Sequence, residues 1–252
     1  MLKTRVIPTL LYRDFTLVKG VRFDSRRVVG SPVQAVQVYN LRNVDELMFL
    51  DVRATLDDRR PDFDLIDEIA DHCFMPLCVG GGVRSVDDVR DLLAVGADKV
   101  ALNTAAVEEP SLVRAASDRF GAQCIVVSVD TKAGAHGATT VWTASGTHDT
   151  GLDPVTWARE VETLGAGEIL LQSIDHDGVM EGYDIETTRR VSDAVTIPVI
   201  AGGGAGTSDD LRVAIHEGGA TAVAAASLFH FTERTPMEAK QHLAAAGIPT
   251  RL

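Results

Sequence analysis

Val79-Gly80-Gly81-Gly82-Val83-Arg84-Ser85, followed by Ala101-Leu102-Asn103-Thr104, recurs as Ala201-Gly202-Gly203-Gly204-Ala205-Gly206-Thr207, followed by Ala225-Ala226-Ser227. The glycine runs start 122 residues apart (80 and 202) and the hydroxyl residues 123 apart (104 and 227). In each copy a short apolar run enters the glycines and a helix-like segment leaves them. Glycine there permits positive φ and close backbone approach to a ligand. The start of the following helix offers free N–H groups to an anion. A tight turn alone would explain one such run. Two at matching positions, each followed by a second small or hydroxyl pair, predict a duplicated half-molecule that holds a ligand with a phosphate at each end.

Outward from these runs, short apolar segments alternate with amphipathic ones along the chain. Candidate strands lie at 5–11, 47–51, 76–79, 98–102, 124–130, 168–173, 197–202 and 221–226. Each reads as a strand buried on both faces. Candidate helices lie near 32–43, 62–73, 86–95, 109–118, 155–164, 184–193, 208–217 and 236–246. Ser85 and Ser208 precede acidic residues as N-caps do, and Gly96, Gly165 and Gly218–Gly219 stand where helices should stop. Eight such units in 252 residues predict an α/β fold: a (β/α)8 TIM barrel of duplicated half-barrels spanning 1–252 as a single domain, a size at which such barrels are common. An open doubly wound sheet is the alternative. Two long connections, 13–31 and 132–150, leave C-terminal strand ends, where barrel enzymes place their sites. Thr139–Thr143 could form half of a small hairpin.

The formal net charge of −12 argues against nucleic-acid and anionic-membrane partners. It does not exclude phosphate held locally. Cys73, Cys78 and Cys124 show no metal-ligand or CxxC spacing and read as buried thiols of a reducing compartment. Lys3 and Arg5 lead into a short strand and Pro8, not a signal peptide, and no apolar run reaches the roughly 18 residues a membrane span needs. A soluble, cytoplasmic protein without a metal or organic cofactor is expected. The scattered histidines form no HxxxH or HxH pair.

Asp51, Asp130, Asp175 and Asp177 lie at or just after strand ends and are expected over the barrel mouth. Asp130 closes the apolar run 124–130, a setting that favours a general acid or base. At the other ends of strands stand Arg5, Glu46, Lys99 and Glu168. Alternating charges there form either a structural salt-bridge cluster or a gate for a small polar molecule.

The chain resembles the cyclase subunit of imidazole glycerol phosphate synthase, a phosphate-binding barrel. The resemblance runs through Arg5-Val-Ile-Pro8, Val18-Lys19-Gly20, Asp45-Glu46-Leu47, Phe49-Leu50-Asp51, Ala97-Asp98-Lys99-Val100, Gly165–Leu170, Asp175–Gly178, Gly182-Tyr183-Asp184, Phe229-His230-Phe231 and Gly247-Ile248-Pro249. It implies a ribulose-phosphate-binding type of barrel whose glutaminase subunit docks on the N-terminal face and releases ammonia. It implies that Arg5, Glu46, Lys99 and Glu168 gate that ammonia, and that Asp98 is a contact at the partner interface. It implies a phosphorylated substrate held by Lys19, Asp51, Gly81, Gly82, Asn103, Thr104, Ser173, Asp177, Gly178, Gly203, Gly204, Ala226 and Ser227. Lys19 is expected on a loop that closes over a phosphate. The family's two catalytic aspartates end strands one and five. Asp130 matches the second, but Leu11 stands at the first, and Asp14 is displaced by roughly 10 Å of extended chain. Gly202 stands where the family usually has serine.

Loss of one proton-transfer group beside intact cups resembles the paralogous branch encoded with surface-polysaccharide genes. Tyr12, Phe15 and Ser25–Gly30 also read nearer to that branch. The resemblance implies ammonia supply, with a possible sugar amidotransferase partner, for conversion of an acetamido to an acetamidino group. A working histidine-pathway cyclase and a non-catalytic scaffold that activates its glutaminase are the alternatives.

Overall fold

Strand β1 (Arg5–Arg13) is apolar and buried at Val6, Ile7 and Leu10, and it lies at the closure of a barrel. The computed structural model describes residues 3–134 and 137–252, apart from the side chains of Ser25 and Arg26. Ala135 and His136, in the second long connection expected from sequence, therefore lie outside the described residues, as do the side chains of the Ser25-Arg26 pair.

After β1 come β2 (Thr16–Val21), β3 (Asp24–Gly30), α1 (Pro32–Leu41), β4 (Leu47–Asp51), α2 (Phe63–His72), β5 (Leu77–Gly80), α3 (Val86–Ala94), β6 (Lys99–Leu102), α4 (Thr104–Glu108) and α5 (Ser111–Phe120). The second half repeats the pattern with β7 (Ile125–Ala133), β8 (Thr139–Thr143), β9 (His148–Asp149), α6 (Pro154–Thr163), β10 (Glu168–Ser173), α7 (Ile185–Ser192), β11 (Val199–Gly202), α8 (Ser208–His216), β12 (Ala222–Ala225), α9 (Ser227–Phe231) and α10 (Pro236–Ala245). Among the described residues, β1, β4, β5, β6, β7, β10, β11 and β12 pair in parallel in that order, and β12 returns to β1. The ring closes, so the fold is a (β/α)8 barrel and the open-sheet alternative is excluded.

Strand parity sorts the side chains into two cores. Val6, Leu47, Leu77, Val100, Ile125, Ile169, Val199 and Val223 face outward under the helices. Their neighbours Ile7, Met48, Cys78, Ala101, Val126, Leu170, Ile200, Ala222 and Ala224 fill the barrel interior. Period two is a property of any strand. Closure turns it into one apolar layer to which each of the eight strands contributes.

The halves match beyond the strands. Ser85 and Thr207 each cap a helix through a capping box with the Asp three residues on, Asp88 and Asp210. Thr207, not Ser208, is thus the cap, and Ser208 is the first helical residue. Each half opens with an over-long strand that folds into a hairpin, β1 with β2 and β7 with β8. Thr139–Thr143 is indeed half of a hairpin, and its partner is the extension of β7. The expected 13–31 connection is instead a β2–β3 hairpin. Cys78 is buried, whereas Cys73 and Cys124 are only half-buried. No helix among the described residues is long and apolar enough to cross a membrane.

Candidate functional site

The cavity at the C-terminal mouth is lined from both halves: Leu11, Lys19, Asp51, Gly81, Gly82, Asn103, Thr104 and Asp130 meet Asp177, Gly178, Gly203, Gly204, Ala226 and Ser227. Parity explains the membership. Ile7 faces inward, so Thr9 and Leu11 on the same strand do too; Val126 likewise carries Ser128 and Asp130 inward, and Leu170 carries Gln172.

Gly81 and Gly82 have φ of 105° and 74°, and Gly203 and Gly204 of 82° and 120°. Backbone contact adds a second requirement for glycine. A Cβ at Gly81 would stand 2.2 Å from the Asp51 carbonyl, and one at Gly203 2.4 Å from the Ser173 carbonyl. Each glycine turn therefore packs on the end of the preceding barrel strand. The first turns of α4 and α9 line the same cavity and bring N–H groups without helical partners. Asn103 Nδ2 donates to the Ser128 and Trp142 carbonyls (3.1 and 3.2 Å), and Thr104 Oγ1 accepts from the Ala144 N–H (3.0 Å). Both side chains brace the first cup. In the second cup Ser227 Oγ is buried without a hydrogen-bond partner among the described residues. Because Ser227 also lines the cavity, this hydroxyl is free to meet a ligand oxygen.

Asp130 is 8% exposed. Burial pushes its carboxyl up to about 7, a hydrogen bond from Ser128 Oγ (2.7 Å) opposes the shift, and the nearby Asp177 charge adds to it. The group is therefore poised between acid and carboxylate near neutrality, as proton transfer requires. Leu11 lies where a second acid was sought. Asp14 does not replace it: β1 continues to Arg13, and Asp14 sits exposed at the hairpin turn, paired with Arg13.

Lys19 is buried on β2, a strand and not a loop, and its Nζ donates to Asp177 Oδ2 (2.7 Å) and the Gly20 carbonyl (3.1 Å). Asp177 Oδ1 accepts from Gln172 Nε2 (3.2 Å). The hairpin is docked by the Arg22 N–H on the Asp177 carbonyl (2.7 Å). Gly178 is required there, because a Cβ would stand 2.1 Å from the Gly20 carbonyl.

Two expected contributors to the mouth, Ser173 and Asp175, are placed differently. Ser173 is one residue out of phase with Gln172, and its Oγ pairs with His176 Nδ1 (2.8 Å) in a separate outer pocket. Asp175 lines that same outer pocket and accepts from the Ala133 N–H (2.9 Å). Asp51 reaches the cavity, but its Oδ1 caps the following loop through the Arg53 and Ala54 N–H groups (both 2.9 Å). Gln172 was missed by sequence reasoning. Counting by twos from Glu168 through Leu170 would have found it.

At the opposite rim Arg5, Glu46, Lys99 and Glu168 form a closed ring. Arg5 Nη1 contacts Glu46 at 2.5 Å and Glu168 at 3.1 Å, and Lys99 Nζ contacts the same two at 2.9 and 3.0 Å. Burial works against the Arg5 charge, but the two carboxylates outweigh it and its pKa is raised. Both cations use Glu46 Oε2, so Glu46 Oε1 is buried without a partner among the described residues. Asp98, the expected partner contact, is exposed on this rim, and its Oδ2 accepts from the Leu77 N–H (2.8 Å).

Residues 5–235 match the family model described as "Histidine biosynthesis protein". The chain belongs to this family. Membership in the histidine biosynthesis family fits the duplicated (β/α)8 barrel and a synthase-type enzyme. Among the described residues no group of three His, Cys, Asp or Glu side chains is placed to hold a metal ion.

Proposed function

We propose that this chain is the barrel subunit of a glutamine-dependent synthase that uses ammonia released by a glutaminase docked on its N-terminal face. In this reading its cyclase chemistry is altered or lost, and the ammonia serves to turn an acetamido group of a sugar into an acetamidino group, with a separate sugar amidotransferase. The observation that carries the reading is the sequence of inward layers along β1: Arg5 in the ionic ring, Ile7 in the apolar layer, then Thr9 and Leu11 at the mouth. One strand thus keeps its ring residue and presents a hydrocarbon where a proton-transfer group would be needed. The orphan Glu46 Oε1 at the floor supports a role in receiving an N–H donor there, and the apolar layer above suits neutral ammonia better than ammonium.

General acid–base help is worth about 10²–10⁴-fold. The test supplies the purified chain with ammonium at elevated pH and the ribulosyl substrate of histidine synthesis. Little or no imidazole glycerol phosphate is expected from the native sequence, and Leu11→Asp should raise the rate by about 10²-fold or more. Rapid turnover by the native chain would overturn the reading.

A further inference from the structure

Gln172 stands beside Asp130 in the β7–β10 pairing, and both line the mouth. Its amide orientation follows from its neighbour. Asp177 is already paired with Lys19, and a carboxylate only accepts hydrogen bonds. The Gln172 NH2 group must therefore face Asp177, as the 3.2 Å contact has it. Oε1 is turned the other way, over Gly202, where a Cβ would stand only 2.2 Å from it. The absence of a side chain at 202 is thus what leaves room for the amide. Among the described residues the Gln172 side chain makes its hydrogen bond through Nε2, and none is made to Oε1. The cavity wall also carries hydrocarbon, including Leu11, Leu50 and Leu170, beside the polar Thr9, Ser128 and Asp130.

We propose that Gln172, seated over Gly202, determines ligand specificity in the cavity. Its Oε1 accepts a hydrogen bond from an O–H or N–H in the middle of a ligand whose two phosphates occupy the cups. Such ligands are selected over those with a plain hydrocarbon middle. The inference rests on the reading of the mouth as a two-phosphate site and adds the chemistry between the phosphates. Asp177 takes one N–H of the Gln172 amide and fixes its orientation, which leaves Oε1 as the acceptor offered to the ligand.

The probes are two ten-carbon α,ω-bisphosphates, one with hydroxyls on its two central carbons and one without. Eight strands about 4.8 Å apart enclose a mouth on the order of 12–15 Å wide, which such a chain can span. Titration calorimetry on the full chain should show the hydroxylated probe favoured by about five- to tenfold, as one neutral hydrogen bond allows. Gln172→Met, which keeps the volume, should reduce the preference to within about twofold. Gly202→Ala, which displaces the amide, should do the same while circular dichroism stays native. Equal binding of the two probes by the native chain overturns the inference, as does a preference that survives in both variants. A merely structural glutamine would weaken both probes alike and leave the preference intact. If neither probe binds more tightly than inorganic phosphate, the two-phosphate reading falls and the inference with it.

Discussion

Asp130 shows how a buried carboxylate at the barrel mouth is kept at the expense of stability. Its ordinary value near 3.8 rises to about 7, chiefly by burial. Between those two values the folded state holds a proton that the unfolded state has released. Stability therefore falls as pH rises from about 4 to about 7, by up to on the order of 4 kcal/mol, and levels off above. Asp130→Asn keeps the shape and removes the titration. Thermal melts should show the variant more stable than the native chain at pH 8 by several degrees, with little difference at pH 4. A parallel pH dependence in the two proteins would mean that Asp130 ionises freely. The special position of Asp130 was legible, since a carboxylate closing an apolar strand calls for an explanation. The roles of Ser173 and Gln172 were legible only in part. Strand parity separates them, but it must be anchored on a residue known to face inward.

The two half-barrels carry equivalent devices in unequal sequences. Ser85 with Asp88 and Thr207 with Asp210 build the same capping box at the starts of α3 and α8. Ser85→Ala and Thr207→Ala should each cost about 1 kcal/mol, and the double variant about the sum, because the caps share no contacts. Urea denaturation midpoints with an unchanged slope would check this. A loss under about 0.3 kcal/mol at either site would mean that the cap is redundant there. The β2–β3 hairpin was not read from sequence for a physical reason. The positive φ values that hairpin turns need fall on Asp14-Phe15 and Arg22-Phe23, not on the Asn-Gly or Asp-Gly pairs that announce such turns. Docking of the hairpin on Asp175 and Asp177 supplies what the turn sequences lack.

Across the barrel, four charges from β1, the start of β4, β6 and β10 cancel one another in a ring that ties both halves together. Glu46 is nearly buried, with 2% side-chain exposure, so loss of a cation leaves an uncompensated charge. Lys99→Ala should destabilise the chain by about 3 kcal/mol, and adding Glu46→Gln should recover part of that loss. In a complex with the proposed glutaminase, Lys99→Ala should also uncouple glutamine hydrolysis from ammonia use. Additive stability losses would show that the pair does not interact, and unchanged coupling would count against a gating role.

Strand periodicity and the doubled glycine runs were enough to favour a parallel barrel over an open sheet, with a glycine turn from each half on one rim, because these signals are local: period two, helix caps and glycine turns each need only a few neighbouring residues. Pairing across the barrel is not local. Arg5 meets Glu168 across 163 positions of chain, and Lys19 meets Asp177 across 158. Only closure of the sheet brings such groups within hydrogen-bond distance. It also turns Ser173 and Asp175 out of the mouth and sets the Gln172 amide over Gly202, since both depend on where the neighbouring strand and loop come to rest.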